Sequence, residues 1–460
     1  MSGSDDVTGA HDTSGLTEAR GSDQIRGRLL ASVAMVRVLT LVASGVPTVL
    51  AWALMSKRLD AAEFSGVSLA LSLPTLSSFI LPAMGARIAN AVAIGPGAFQ
   101  DAVVRSVRAC VLAGAALVLL SVGLSGIGWS RLLGRHEPDP FPMDFAVVFV
   151  SVTLAVWIVL LIGERILIAR GEVTKRILAA AVTGPASLVG VCIVALVHGP
   201  AWAYVLPIPC AMVLAAACSL AWALRLPGIT WGSVYGAALR RPSAAYGRST
   251  LTLWLIVVEA SVLVPIWLLR PVVSVRGINA DVASLSIALQ FATPVFSVIS
   301  VVGQGLWPFY ARNRLTLHRR DVLRHVGTMA SVAAGLAVCY AVGLWLLFRL
   351  DLVGHEATVG VLVAMGFYIV ARGAWEPPRI IFSTDQTSRS LAALCLITCV
   401  LASIAMFLLG GLAHGALAVA AVAVAFAGNC LLAPILFVHH LQRSNPLPRD
   451  VGEGVRTTSG

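Results

Sequence analysis

The chain has 460 residues, of which 58% are hydrophobic and only 12% charged, with a mean hydropathy of +0.88. That composition excludes an ordinary soluble domain and leaves a polytopic membrane protein. A formal net charge of +11 would suit a nucleic-acid binder, yet the arginines fall in short loops between apolar runs. Membrane topology accounts for them there, and nucleic acid is not an expected partner.

Residues 1–25 are rich in Gly, Ser, Asp and Thr without an apolar period, and read as a disordered cytoplasmic tail. Twelve apolar runs follow, each long enough to cross about 30 Å of hydrocarbon as a helix. They cover 29–55, 64–92, 106–127, 143–166, 176–198, 201–224, 249–270, 282–309, 326–349, 357–382, 389–410 and 413–438. The fold class is therefore an all-α polytopic membrane protein with about 12 transmembrane helices. When the loops are placed alternately on two sides, Arg105, Arg108, Arg170, Lys175, Arg176, Arg225, Arg240, Arg241, Arg248 and the cluster Arg312 to Arg324 share one side. The positive-inside rule makes that side cytoplasmic, together with both termini. Eight cysteines all lie within apolar runs and lack metal-ligand spacing, so they read as small buried side chains.

A stretch near the second run occurs twice. Ser56 to Leu71 is echoed without gaps by Ser274 to Leu289: Ser56 matches Ser274, Arg58 matches Arg276, Glu63 matches Asp281, and Ser68, Ala70 and Leu71 match Ser286, Ala288 and Leu289. Further echoes pair Pro74 with Pro294, Gly85 with Gly305 and Asp101 with Asp321, the last two opening amphipathic stretches that lead into the third and ninth runs. Six spans separate the copies. An even number gives the halves one orientation, so two six-helix lobes are expected, related by a pseudo-two-fold axis along the membrane normal. The expected division is an N-terminal lobe over 26–224, a cytoplasmic inter-lobe loop over 225–248, a C-terminal lobe over 249–438 and a cytoplasmic tail over 439–460.

Several features together resemble the multidrug/oligosaccharidyl-lipid/polysaccharide (MOP) exporter superfamily, and within it the Wzx-type polysaccharide flippases. They are the first-span Arg37, the outer turn Lys57-Arg-Leu-Asp-Ala-Ala-Glu-Phe-Ser-Gly66, a long second span ending near Gly85, and the fourth-span exit Ile166-Leu-Ile-Ala-Arg-Gly171. The resemblance covers nearly all of residues 25–440. It implies two lobes in a V, with spans one, two, seven and eight lining a central cavity. It also implies the flipping of a polyprenyl-diphosphate-linked oligosaccharide from the inner to the outer leaflet of the bacterial plasma membrane by alternating access. Lipid II flippases of the superfamily usually carry two further spans, which this pattern lacks. The partners implied are the lipid-linked saccharide, membrane lipids and glycan-assembly enzymes. A cation-coupled multidrug exporter of the same fold is the alternative. A membrane polysaccharide polymerase or ligase ranks below both, because the loops on the outer side are short and carry no catalytic constellation, and neither an enzymatic activity nor a cofactor is expected.

Ionisable groups inside spans cost roughly 2.5–3.5 kcal/mol each on insertion scales, so they should face a wet cavity or a partner. Arg37, Arg87 and Arg372 are the cationic candidates, and Asn90, Gln290 and Gln304 are polar companions on the implied cavity helices. Guanidinium groups grip phosphate oxygens bidentately, which makes these residues the expected substrate-binding set. Arg372 and Glu376 stand one helical turn apart and can neutralise each other. Glu164 and Arg165 read as a pair at the membrane interface. Glu259 is the carboxylate near the middle of the seventh span, an isolated acid unless a cation or Arg37 compensates it. It is read as a coupling-ion site, a counter-ion for the cationic cavity, or a protonated acid hydrogen-bonded within the bundle.

Overall fold

The protein is described by a computed structural model that covers residues 42–73, 88, 96–133, 141–236, 251–313, 318–382 and 387–443. The N-terminal tail, Arg37, Arg87, Asn90, the second half of the inter-lobe loop and most of the C-terminal tail lie outside the described residues. The described chain is helical, as a lipid-embedded backbone must be if each span is to satisfy its own N–H and C=O groups. In chain order the helices are α1, described over 42–58, α2 (Ala61–Ala70), α3 (Pro96–Ser125), α4 (Met143–Ala169), α5 (Thr174–Leu196) and α6 (Ala201–Ala223). The second half has α7 (Leu251–Arg276), α8 (Asn279–Asn313), α9 (Arg319–Arg349), α10 (Val359–Ile381), α11 (Ser388–Leu409) and α12 (Ala416–Arg443).

Among the described residues, 10 helices are long and apolar enough to cross a membrane, and they coincide with the third to twelfth expected runs. Their ends differ from the hydropathy boundaries. The amphipathic stretches before the third and ninth runs are continuous with them, giving helices of 30 and 31 residues that extend well beyond about 30 Å of hydrocarbon. The seventh run was expected to stop at Arg270, before a proline, yet α7 passes through Pro265 and Pro271 to Arg276. Proline inside a membrane helix is tolerated when neighbouring helices and side chains support the freed carbonyls.

The two copies of the repeated stretch form the same local structure. In the first, Asp60 caps α2: its Oδ1 accepts from Glu63 N at 2.7 Å, and Asp60 N donates back to Glu63 Oε2 at 3.3 Å. In the second, Ile278, the counterpart of Asp60, donates its N–H to Asp281 Oδ2 at 3.3 Å. The copies diverge downstream. α2 ends at Ala70 and turns before Pro74, whereas α8 runs unbroken past Pro294.

The halves meet at the ends of the helices that carry this stretch, called here the repeat face. Ser286 Oγ donates to Ser68 Oγ at 2.8 Å, with both side chains fully buried. Ser65 Oγ lies 3.5 Å from Asn279 Oδ1, and deeper in the membrane Gly45 of α1 approaches the Pro294 ring of α8. The connection between α9 and α10 folds over the first copy. There Gly354 N donates to Ser56 Oγ at 3.1 Å, His355 Nε2 donates to the Leu59 carbonyl at 3.2 Å, and Lys57 Nζ reaches Asp351 Oδ2 at 3.0 Å. Gly354 lies so close to the Ser56 backbone that no Cβ fits between them. The Lys57–Asp351 pair is exposed and contributes at most about 1 kcal/mol. The buried hydroxyl pair and the His355 ring, seated 5.2 Å from the Phe64 ring, supply the specific contact.

Candidate functional site

The densest set of membrane-embedded charge among the described residues is in the second half, where an arginine of α10 reaches a carboxylate of α7. On α10, Arg372, Glu376 and Arg379 are spaced i, i+4 and i+7, which puts all three on one side of the helix. Arg372 Nη1 donates to Glu376 Oε1 at 2.8 Å. Arg379 donates through Nη2 and Nε to Glu376 Oε2 at 2.8 and 3.1 Å, and through Nη1 to Glu259 Oε1 on α7 at 2.6 Å. Two carboxylates and two guanidiniums thus form a neutral chain across two helices. Glu376 at its centre is fully buried, whereas the Arg372, Arg379 and Glu259 side chains keep 15%, 15% and 11% of their exposure.

Local sequence explains why this cluster can form. Pro377 and Pro378 deprive the last turns of α10 of two backbone donors, next to the residues that carry the charges. Gly303 of α8 lies directly over Glu376: a Cβ there would come within 2.9 Å of Oε2 and 3.1 Å of the Glu376 Cβ. α8 therefore passes over the network at a position without a side chain, and three helices converge on one carboxylate. Beside the network, Asn429 Nδ2 of α12 donates to Thr398 Oγ1 of α11 at 2.9 Å.

The pairing of Arg372 with Glu376 is as the sequence suggests. Glu259 is not isolated. Its partner is Arg379, which the reading of the sequence did not single out, although the Arg–Glu–Arg spacing on α10 signals it. Glu164 also has a different partner from the neighbour expected: Arg176, at the start of α5, donates to Glu164 Oε1 through Nε and Nη2 at 2.7 Å. Gln290 is half-buried on α8, 13 residues before Gly303 and so roughly 20 Å from the network along the helix axis. Gln304 follows Gly303 in the chain, but its side chain lies outside the described set. Glu259 and Arg372 are thus brought together, and Gln290 is not placed with them. Among the described residues, no group of three or more His, Cys, Asp or Glu side chains could hold a metal ion.

Two halves joined through a duplicated helical turn, with a polar network inside one of them, define a multi-pass membrane protein. Solved structures share this arrangement of helices. The chain matches an inward-facing multidrug resistance MATE family transporter of the MOP superfamily with a TM-score of 0.54 and 14% identity, over 90% of this chain and 99% of that one. It matches the lipid II flippase MurJ in an inward closed conformation with a TM-score of 0.52 and 13% identity, over 88% and 90%. No family model matches the sequence, and no curated protein does. At these identities the likeness is one of fold: the chain has the all-α, two-lobe fold of the MOP exporters, with about 12 transmembrane helices.

Proposed function

We propose that the chain is a transporter of the bacterial plasma membrane that flips a polyprenyl-diphosphate-linked oligosaccharide from the inner to the outer leaflet by alternating access. Residues 26–224 and 249–438 act as the rocking lobes, both termini are cytoplasmic, and the repeat face is the outer one. The shared fold supports a transporter of this kind. The observation that carries the choice of substrate is the 2.6 Å contact between Arg379 Nη1 and Glu259 Oε1. An exporter that exchanges a cation for a cationic drug needs a carboxylate that it can empty and refill. Here the network's two carboxylates are already neutralised by guanidiniums fixed to the chain.

An anionic headgroup has the opposite need, because it requires cations able to change partners. Arg372 and Arg379 can exchange a carboxylate oxygen for a phosphate oxygen of similar geometry while keeping their charge. Outward movement of an anion is also favoured by an interior-negative membrane potential, by about 2.3 kcal/mol per charge per 100 mV.

The test is transport by the purified chain in proteoliposomes, with a fluorescent diphosphate-linked saccharide and a cationic dye measured side by side. Flipping of the first without export of the second is the expected result. Export of the dye with no flipping of the saccharide selects the multidrug alternative.

A further inference from the structure

The connection between α9 and α10, residues 350–358, is anchored in the second half and has its tip on the first. At the α9 end, Asp351 turns the chain in a left-handed conformation (φ 49°), and Asp351 N and Leu352 N donate to the Phe348 and Leu347 carbonyls at 3.0 and 2.9 Å. At the α10 end, the Thr358 hydroxyl caps the helix by accepting from Val361 N at 3.4 Å, and Thr358 N donates to Ser284 Oγ of α8 at 3.2 Å. Val353 and Ala357, on either side of the tip, are buried. The connection is thus fixed to its own half and must move with it.

Its tip, Gly354 and His355, rests on the α1–α2 turn of the other half. Ser56 Oγ accepts from Gly354 N and itself donates to the Ala53 carbonyl at 2.8 Å, so the hydroxyl is used in both directions. Backbone meets backbone there, an approach that requires glycine. His355 grips the next residues of the same turn, at the Leu59 carbonyl and the Phe64 ring. Phe64 and Ser68 stand one turn apart on the same side of α2, about 6 Å along its axis. The His355 and Ser286 contacts with the first half therefore follow one another along α2, the His355 contact being the nearer to the exposed Lys57–Asp351 pair. In the corresponding connection of the first half, described over 126–133, Trp129 instead ties back to its own half. Its N–H donates to Asp144 Oδ1 at 2.7 Å and its indole N–H to the Ser121 carbonyl at 2.9 Å.

We propose that the α9–α10 connection is a latch that holds the repeat face shut and must withdraw from the Ser56–Phe64 turn before the halves can part there. Every anchor of the connection lies in one half and the bonds of its tip lie in the other, so a rocking motion that opens this face breaks the tip contacts. The inference rests on the alternating-access reading above and is independent of the substrate.

The experiment measures how often the repeat face opens, without any transport assay. Two single-cysteine forms of the full-length chain in detergent are reacted with a bulky polar maleimide. One carries Ser68→Cys, at a position fully buried where the halves meet, and the other keeps only the natural Cys430, buried inside the second half. Gly354→Val drives the tip off the Ser56 backbone and is expected to raise the labelling rate of Ser68→Cys several-fold, because it shifts the population toward the open face. Cys430 should stay unreactive. Equal rates at Ser68→Cys with and without Gly354→Val overturn the proposal. If Gly354→Val does not accumulate, or if Cys430 also becomes reactive, the double variant Ser56→Ala with His355→Ala replaces it. That variant removes the bonds of the tip without a clash and should give a smaller rise, about two- to three-fold, in the labelling of Ser68→Cys. An unchanged rate in that variant likewise overturns the latch.

Discussion

The hydroxyls of Ser68 and Ser286 face each other at 2.8 Å, and these two serines occupy the same place in the two copies of the repeated stretch. A residue touches its own equivalent only where the symmetry axis passes between them. The contact therefore marks the pseudo-two-fold axis at the repeat face, and closure of that face brings the two halves together at this point. Ser68→Cys with Ser286→Cys, in a background with the eight natural cysteines removed, is expected to form an oxidant-dependent cross-link between the halves. A protease site engineered between residues 237 and 250 makes the bond visible on a denaturing gel. The cross-linked chain should not transport. Full separation of the halves after oxidation would show that the serines do not meet.

Arg379 bridges two carboxylates, so its loss should cost more than the loss of Glu259. Arg379→Met leaves buried charge uncompensated and is expected to destabilise the folded protein by roughly 3–5 kcal/mol. Glu259→Gln, which keeps shape and a hydrogen-bonding oxygen, should cost less. A double-mutant cycle between Glu259→Gln and Arg379→Met, read by denaturant unfolding in detergent, should give a coupling of about 0.5–3 kcal/mol. Additive effects would mean that the 2.6 Å contact contributes nothing.

Gly303 is small because Glu376 occupies the space a side chain would need. Gly303→Ala introduces a Cβ 2.9 Å from Glu376 Oε2 and is expected to destabilise by about 1–3 kcal/mol through forced displacement. The control is Gly327→Ala on α9, where nothing lies near the added atom and helix propensity favours alanine. Equal unfolding midpoints for the two variants would contradict the convergence of α8 on Glu376.

His355 makes the repeat face sensitive to acid. Burial lowers its pKa below the ordinary value of 6.5, against the smaller raising effects of the Leu59 carbonyl and nearby Asp60. The seated ring therefore favours the neutral form, and the seated state binds fewer protons than the released one. Its contribution is complete above about pH 6.5 and declines as the pH falls from there through the lowered value. Single-molecule energy transfer between labels on the two halves should show the repeat face open more often at pH 5 than at pH 7.5, and His355→Gln should flatten that difference. No change between the two pH values in the wild type would remove His355 from the contact.

Much of this architecture is legible in the chain itself, because hydrophobic runs and an ungapped echo report directly on spans and symmetry. The ten helices from α3 to α12 lie where apolar length demands them, and the match of Ser68 with Ser286 in the sequence became a contact in space. What hydropathy conceals is where a helix ends when a proline or a polar stretch does not stop it. α7 continues through Pro271, which moves Arg270 from the edge of a span to its interior. Side-chain partners are concealed for a different reason. Arg379 reaches Glu259 across 120 residues of sequence, and only the Arg–Glu–Arg spacing on α10 hints that a third partner is needed. Arg176 reaches Glu164 around the α4–α5 turn, a geometry that adjacency in sequence does not convey.

Arg379 stands at Glu259 in the place of an exchangeable cation. The most direct test of this role is transport of a diphosphate-linked saccharide by the wild-type chain in proteoliposomes, with Na⁺ and H⁺ gradients collapsed and a membrane potential maintained. An undiminished rate is expected. Loss of transport on collapsing either gradient would contradict it.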